Sequence, residues 1–406
     1  MIKKIYFFSI LLSVLVSMNA WFIFFMKIGT TFLLLDLITI SFIINHKHLF
    51  NRISQNKNIF ILIIIAYLIG ARTIDSWKWC VMTFPTLTLL FAKNELLSQV
   101  LITISKWLAI ILVPGIILHL LIFIYPLPVI GPQFSSDIYG NFNNYILYIK
   151  STDLLEYVFR FSSIFIEPGH LGMILSYFLF ALKYNYRNFV VWVFTIALLL
   201  TLSLAGYVLF IGGAILYSMS NSIRRTLKSL ICGIIGIVIL TYFITLVLDD
   251  SYVNYVKSVT VERLEFDKEK GIKGNNRTNE NTDIAFDKLV SSPRILWGLG
   301  TEKYLKESQK KNWIAAGYKA FLLNYGLISL LLIAYVYFKI GKNKKVTFCF
   351  FILISMSFLQ RAYPFWAAWL VPYICFCLNT DWQKNLVKPY INIRPKNINN
   401  IQSRQS

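Results

Sequence analysis

The chain has 406 residues, of which 57% are hydrophobic and only 15% charged, with a formal net charge of +21 and a mean hydropathy of +0.61. Soluble domains are roughly 45–50% apolar and about 25% charged, so the composition excludes an ordinary soluble domain and marks a membrane protein. The apolar residues fall in many separate blocks, and runs such as Ile59–Leu68 do not alternate as barrel strands would. The expectation is an all-α polytopic integral membrane protein.

Twelve spans are predicted, near residues 5–25, 28–44, 59–71, 79–92, 99–124, 170–183, 189–204, 205–220, 229–248, 314–338, 346–360 and 362–379. The first has the apolar character of a signal peptide but lacks a small-residue cleavage site and runs into the second, so it is kept as a span. Several are shorter than the roughly 20 residues that cross a bilayer straight, which points to longer helices or to broken ones packed within a bundle. Lys3 and Lys4 place the N-terminus inside. From that start the inner segments hold twenty Lys and Arg, whereas the outer ones, leaving aside 249–312, hold six: Lys27, Arg72, Lys78, Lys150, Arg160 and Arg361. The positive-inside rule requires this bias, so the basic excess reads as topology, with membrane lipid head groups as secondary partners, and not as a nucleic-acid surface. All five cysteines (Cys80, Cys232, Cys349, Cys375, Cys377) lie in apolar stretches, and none reads as part of a disulfide or a metal site.

In chain order this gives membrane helices one to five (1–124), a first large outer loop (125–169), helices six to nine (170–248), a second large outer loop (249–312), helices ten to twelve (313–380) and a basic cytoplasmic tail (381–406) that reads as disordered. The first loop is marked by Pro126, Pro128, Gly131, Pro132 and Gly140. The second is the only strongly polar part of the chain. It contains a charged run, 261–270, and a turn-forming stretch, 271–281. A helix is predicted from Thr282, capped by its hydroxyl, with Phe286, Leu289 and Val290 as its apolar stripe. Ser292-Pro293 would end it, and Gly298-Leu-Gly300 would make a tight turn. No internal repeat suggests the paired halves common in transporters.

Where the first loop meets the sixth span the sequence reads Arg160-Phe-Ser-Ser-Ile-Phe-Ile-Glu-Pro-Gly-His-Leu-Gly172. Further on come Thr201-Leu-Ser-Leu-Ala-Gly-Tyr207, then Asn276-Arg-Thr278, Ser292-Pro293 and Gly298-Leu-Gly300 in the long loop, and Tyr325-Gly-Leu-Ile-Ser-Leu-Leu331 entering a span. In this order the motifs resemble the O-antigen polymerase and O-antigen ligase family of bacterial membrane glycosyltransferases, over a bit under half the chain. The resemblance implies a GT-C-like bundle with a large extracytoplasmic loop and a metal-independent enzyme without cofactor. It implies as partners an undecaprenyl-diphosphate-linked oligosaccharide donor and acceptor, and a polysaccharide co-polymerase that regulates chain length.

A lipid-diphosphate donor brings two anionic phosphates to the outer head-group level. Arginine suits them, because its planar fork grips phosphate oxygens and keeps its proton. Arg160 at the membrane edge and Arg277 in the long loop are the diphosphate-binding candidates, with Arg263 or Arg294 as alternatives to Arg277 and Arg361 as a weaker one. The acceptor hydroxyl must lose a proton, which nominates Glu167 and His170 as catalytic residues. Pro168-Gly169 predicts a helix start there, whose positive end also favours phosphate. Glu167 could equally cap that helix or pair with Arg160. His119 reads as a packed polar side chain, Asp36 as a costly charge within a span, and Thr201, Ser203 and Gly206 as residues for a helix break and close approach.

Ligases of the family carry a histidine late in the large outer loop. Residues 249–312 contain none, and Tyr318 is a poor substitute base, which favours a polymerase. The rivals are a lipid-linked oligosaccharide transporter, which would expect charges through the bundle centre, and a structural membrane partner, which leaves the Arg/Glu/His group unexplained.

Overall fold

The computed structural model describes residues 2–71, 74–136, 140–152, 160–221, 231, 266–267, 271–272, 278–313 and 317–381. Its helices are α1 (Ile2–Ser17), α2 (Ile28–Asn45), α3 (Ile53–Ala71), α4 (Ile74–Leu87), α5 (Asn94–Ile124), α6 (Pro168–Ala181), α7 (Phe189–Leu200), α8 (Leu204–Asn221), α9 (Glu280–Val290), α10 (Thr301–Lys310), α11 (Gly317–Gly341), α12 (Lys345–Phe358) and α13 (Ala367–Cys377). Among the described residues, Ile28–Asn45, Ile53–Gly70, Asn94–Ile122 and Gly317–Gly341 are long and apolar enough to cross a membrane, and six shorter apolar helices accompany them. The chain is therefore a largely helical membrane protein. Of the expected spans, 229–248 lies outside the described residues apart from Ile231, as do most of 249–277 and the tail beyond 381.

Two expected spans are broken, and each break has a backbone cause. The first was expected to run to residue 25, but α1 stops at Ser17, Asn19 turns into the left-handed region (φ 55), and a short 3-10 turn, Trp21–Phe25, follows. The tenth, α11, is interrupted at Gly326, where φ reaches 77. Both breaks are filled by backbone from elsewhere in the fold, which is the condition for irregular backbone inside a membrane bundle.

The expectation of helices alone needs correcting in the first loop. Three segments, β1 (Phe134–Ser136), β2 (Gly140–Asn144) and β3 (Ile149–Ser151), form a three-stranded antiparallel sheet, with Phe134 opposite Phe142 and Phe142 opposite Ser151. Its buried face, Phe134, Phe142 and Ile149, packs with Ile166 and Trp21. A second pair, Phe266–Asp267 with Gly271–Ile272, lies in the long loop. The strands are too short and too rich in Ser and Asn for alternation to stand out from loop composition.

Burial separates the centre of the bundle from its rim. Every residue of α6 and of α13 is buried, as expected of helices apolar on all sides and packed within a bundle. By contrast, α2 exposes Leu33, Leu34, Leu37, Ile40 and Ile44, and α5 exposes Ile110, Ile117 and Ile124, which gives the outside an apolar surface suited to lipid. Helices α6 and α8 approach through glycine: a Cβ on Gly206 would stand 3.1 Å from the Cα of Gly172, and Ser176 Oγ lies 3.1 Å from the carbonyl oxygen of Gly206. This is the close approach expected of Gly206.

The two ends of the bundle are tied separately. At one end, Arg52 Nη1 donates to the Leu378 carbonyl (2.8 Å), Asn379 donates to Ser98 Oγ (2.6 Å), and the Lys93 amide donates to Leu49 (2.8 Å). All of these belong to segments that charge counting assigns to the inner side. Residues assigned to the outer side, Arg160 and Arg361 among them, meet at the opposite ends of α5 and α13.

Candidate functional site

The segment 160–167 is held from three directions before it enters α6. The Phe161 amide donates to the Leu200 carbonyl at the end of α7 (3.0 Å). The Ile149 amide of β3 donates to Ser163 (2.8 Å). In the break after α1, Trp21 donates to Ile164 (2.9 Å), while Ile166 donates back to Asn19 (3.2 Å). The interruption of the first span therefore exposes the backbone that pairs with this edge. His119 belongs to the supporting wall. Its Nδ1 lies 2.9 Å from the Tyr148 hydroxyl and its ring packs on Phe161, as the packed-side-chain reading expects.

Four ionisable side chains converge where α6 begins, and all are buried: Arg160 (7% exposed), Glu167 (9%), His170 (2%) and Arg361 (6%). Pro168 occupies the first turn of α6, so its missing amide removes one donor the helix could not use. Glu167 sits at the cap position but makes no side-chain cap bond. Its carboxylate is gripped by both terminal nitrogens of Arg361, with Nη1 donating to Oε2 at 2.7 Å and Nη2 against Oε1. Arg160 is oriented by its Nε, which donates to the Thr201 carbonyl at the end of α7 (2.9 Å).

Gly169 lies between these groups. A Cβ there would stand 3.6 Å from Arg160 Nη2, 3.6 Å from Arg361 Nη2 and 3.7 Å from Ser203 Oγ. Two guanidinium groups thus turn toward one point above the first turn of α6, a position a glycine leaves bare. Ser203 also caps α8, its Oγ accepting from the Gly206 amide (3.2 Å), after a break at Leu202 (φ 47). The break and the close contact match what Thr201, Ser203 and Gly206 were expected to provide. Two buried polar atoms here have no hydrogen-bond partner, His170 Nε2 and Arg361 Nε. Buried groups of this kind are rare, and beside two arginines and a single carboxylate they suit a polar, anionic ligand.

Of the sequence candidates, Arg160, Glu167 and His170 are brought together, and Arg361, ranked below them, completes the group. The signal for Arg361 was weak because it comes from a short outer turn 194 residues beyond Glu167. Arg277 and Arg263 lie outside the described residues. Arg294 is exposed on an open surface beside Trp297 and Lys303, away from this cluster. Tyr318 is exposed and packs edge-on against Phe286. Asp36 sits in the middle of α2, not near an end, and its Oδ1 is buried without a hydrogen bond. Among the described residues no group of three or more His, Cys, Asp or Glu gathers as a metal site would require, and the described cysteines are all free thiols.

The described part of the segment assigned to the second loop packs against the break in α11. Helix α9 starts at Glu280, capped by Asn279, whose Oδ1 accepts from the Thr282 amide (3.1 Å) and from its hydroxyl (2.7 Å). Thr282 is therefore held by the cap and is not itself the cap residue. Gly298 (φ 68) then locks against the break in α11: a Cβ on it would stand 2.5 Å from the Asn324 carbonyl oxygen and 2.7 Å from the Gly326 nitrogen. Strand-like bonds flank the lock, from the Leu299 amide to Leu323 (2.7 Å) and from the Gly300 amide to Asn324 (3.0 Å). Two motifs far apart in sequence, Gly298-Leu-Gly300 and Tyr325-Gly326, are the two halves of one backbone contact. Beyond it Gly317 packs against Leu359 and Gln360, immediately before Arg361.

No family model matches the chain, and no curated protein or solved structure matches it either.

Proposed function

We propose that this chain is a membrane glycosyltransferase that polymerises undecaprenyl-diphosphate-linked oligosaccharide repeat units into a surface polysaccharide, working on the outer face of the cytoplasmic membrane. The observation that carries the reading is the convergence of Arg160 and Arg361 on the bare first turn of α6 at Gly169. Two planar cations at a helix N-terminus suit a diphosphate through paired charge and the flat donor edge of each guanidinium, with the positive end of the helix adding to both. The twelve-span arrangement, with 229–248 as the ninth span, belongs to the same reading, as does the placement of this end outside.

In the proposed reaction an acceptor sugar hydroxyl attacks the anomeric carbon of the donor. The new bond forms from the hydroxyl oxygen to that carbon. The bond from the carbon to the phosphate oxygen breaks, and its electron pair leaves with the lipid diphosphate. Arg160 and Arg361 hold the phosphate oxygens on which charge grows, the kind of contact that strengthens in the transition state. His170, with its uncommitted Nε2, takes the hydroxyl proton. Glu167 fixes Arg361 in place as a carboxylate. Arg277 would supply a further phosphate contact from the long loop.

A polymerase is favoured over a ligase because residues 249–312 contain no histidine. The transporter alternative fits less well, since among the described residues the buried arginines and glutamate, Arg160, Arg361 and Glu167, gather at one end of the bundle, with the partly buried Asp36 apart from them within a span. Deletion in the native host with gel analysis of the surface glycan tests the proposal. Polymerase loss leaves single repeat units on the final acceptor. Long glycan held on the lipid carrier would indicate a ligase, and single units retained inside would indicate a flippase.

A further inference from the structure

An aromatic series runs from the buried site out to the second outer segment. His170 lies 4.7 Å, ring to ring, from Trp366, and Trp366 stacks on Tyr363 at 3.9 Å with the planes 6° apart. The pair is set by the turn that precedes α13, where the Trp366 amide donates to the Tyr363 carbonyl (3.0 Å). Tyr304 stands on α10, whose first residue is tied to α11 by the Thr301 hydroxyl donating to Asn324 Oδ1 (3.1 Å), and the next ring of α11, Tyr325, packs 5.4 Å from Phe365 in the turn that carries Tyr363 and Trp366. Burial raises the Tyr304 phenol pKa to about 12, and the nearby Tyr363 phenol adds to the rise. Tyr304 in turn packs with Trp313 (6.1 Å). Trp366, Tyr363, Tyr304 and Trp313 are partly exposed, unlike His170 and the fully buried aromatics of α6 and α13.

Resting on the glycosyltransferase reading above, we propose that Trp366, Tyr363, Tyr304 and Trp313 form a subsite for the acceptor glycan, a track along which sugar rings stack as they are brought to His170. A pyranose presents a face of C–H bonds to an aromatic ring while its hydroxyls point to the rim. Tyr and Trp match both needs, with a flat apolar face and a polar tip. The surroundings select sugar over lipid. The track leaves the site at the charged end of the bundle and enters a helix whose neighbouring positions are Glu302, Lys303, Lys306 and Glu307. A polyprenyl tail there would lie against charges, whereas sugar hydroxyls find hydrogen-bond partners. The lock between Gly298 and Gly326 then has a purpose beyond packing, since it sets where Tyr304 stands relative to Tyr363.

The test uses the full chain purified in detergent and, as probe, the oligosaccharide released by mild acid from the host's own surface glycan, free of lipid and phosphate. Binding is followed by saturation-transfer NMR. Tyr304→Leu, Tyr363→Leu and Trp313→Leu keep apolar bulk but remove the flat face, and each should weaken binding about two- to ten-fold, the worth of one aromatic contact. Tyr304→Phe and Tyr363→Phe keep the face and should bind within about two-fold of the parent. They also show whether a loss on Leu reflects the ring and not the fold. Wild-type affinity in the leucine variants, or no binding by the parent chain, overturns the track. So does loss of farnesyl diphosphate binding in those variants while sugar binding is kept. The deletion-strain glycan is read separately: if it stays fully polymerised, the enzyme reading falls and the track with it. If it collapses to single units while the leucine variants bind sugar normally, the track alone falls.

Discussion

Glu167 and Arg361 stand 194 residues apart in the chain and face each other as a two-contact ion pair, with Arg361 Nη1 2.7 Å from Glu167 Oε2. Both side chains are almost fully enclosed. The pair closes the site by joining the start of α6 to the turn before α13. Removing one partner strands a buried charge, which costs about 3–5 kcal/mol, whereas replacing both by apolar groups of similar size is close to neutral. Glu167→Ala and Arg361→Ala should therefore each lower the thermal unfolding temperature in detergent. The double variant Glu167→Leu/Arg361→Met should recover much of that stability and still make no polymer. Equal unfolding temperatures in the parent and both single variants would mean the pair does not hold this corner.

The clamp makes a different demand on the arginines. If Arg160 binds phosphate through its fork, while Arg361, whose terminal nitrogens already grip Glu167, adds the donors on its Nε edge, lysine at 160 keeps the charge but loses the geometry. Arg160→Lys should be nearly as harmful as Arg160→Ala, at about 2–4 kcal/mol of transition-state stabilisation or roughly 30- to 1000-fold in turnover. The readout is polymer length in a complemented deletion strain, normalised to membrane protein amount. Full-length polymer from Arg160→Lys at normal expression would remove the clamp.

Gly169 offers a cleaner probe of the ligand position, because an added methyl fits the protein. The nearest side-chain atoms would lie 3.6–3.7 Å away, ordinary contact distance. Gly169→Ala should therefore fold normally, and its methyl should occupy the point on which both guanidinium groups converge. The expected result is unchanged protein level and at least about ten-fold weaker binding of inorganic diphosphate, a loss of roughly 1.4 kcal/mol. Unaltered diphosphate binding would place the ligand elsewhere.

The contact between Gly298 and Gly326 should be intolerant of any side chain. Both residues hold φ values that side chains rarely adopt, at about 1–3 kcal/mol each, and an added Cβ would press on rigid backbone across the contact. Gly298→Ala and Gly326→Ala should each reduce folded protein recovered in detergent and expose the 299–300 segment to protease. Parent-like recovery and cleavage for both would show the contact to be dispensable.

Sidedness is testable with a thiol reagent that does not cross membranes. Lys288, exposed on α9, is better placed for a probe than Asn279, which caps that helix. Lys288→Cys should react in intact cells, with any outer membrane permeabilised, and Asn343→Cys, in the connection between α11 and α12, should not. The reverse pattern would invert the topology and end the enzyme reading.

Composition and block pattern determined a good deal of this protein without help. The low charge, the separate apolar runs and the skew of Lys and Arg establish a helical membrane protein, because each span must satisfy its own backbone and bury its own apolar surface. Local chemistry was equally plain around Pro168, where proline and glycine start α6 and Arg160, Glu167 and His170 lie within a dozen residues. What the tertiary structure alone decided depends on pairings between distant segments. Arg361 looked like an isolated rim charge until the fold set it against Glu167, and the break at Asn19 was hidden in an apolar run that gave no reason to stop. The two glycine motifs read as unrelated, one a tight turn and the other the entry to a span, since no periodicity links residue 298 to residue 326. Periodicity reports which face of a helix is apolar. Which ends meet is decided by packing across the bundle, and in this chain the chemistry is gathered at those ends.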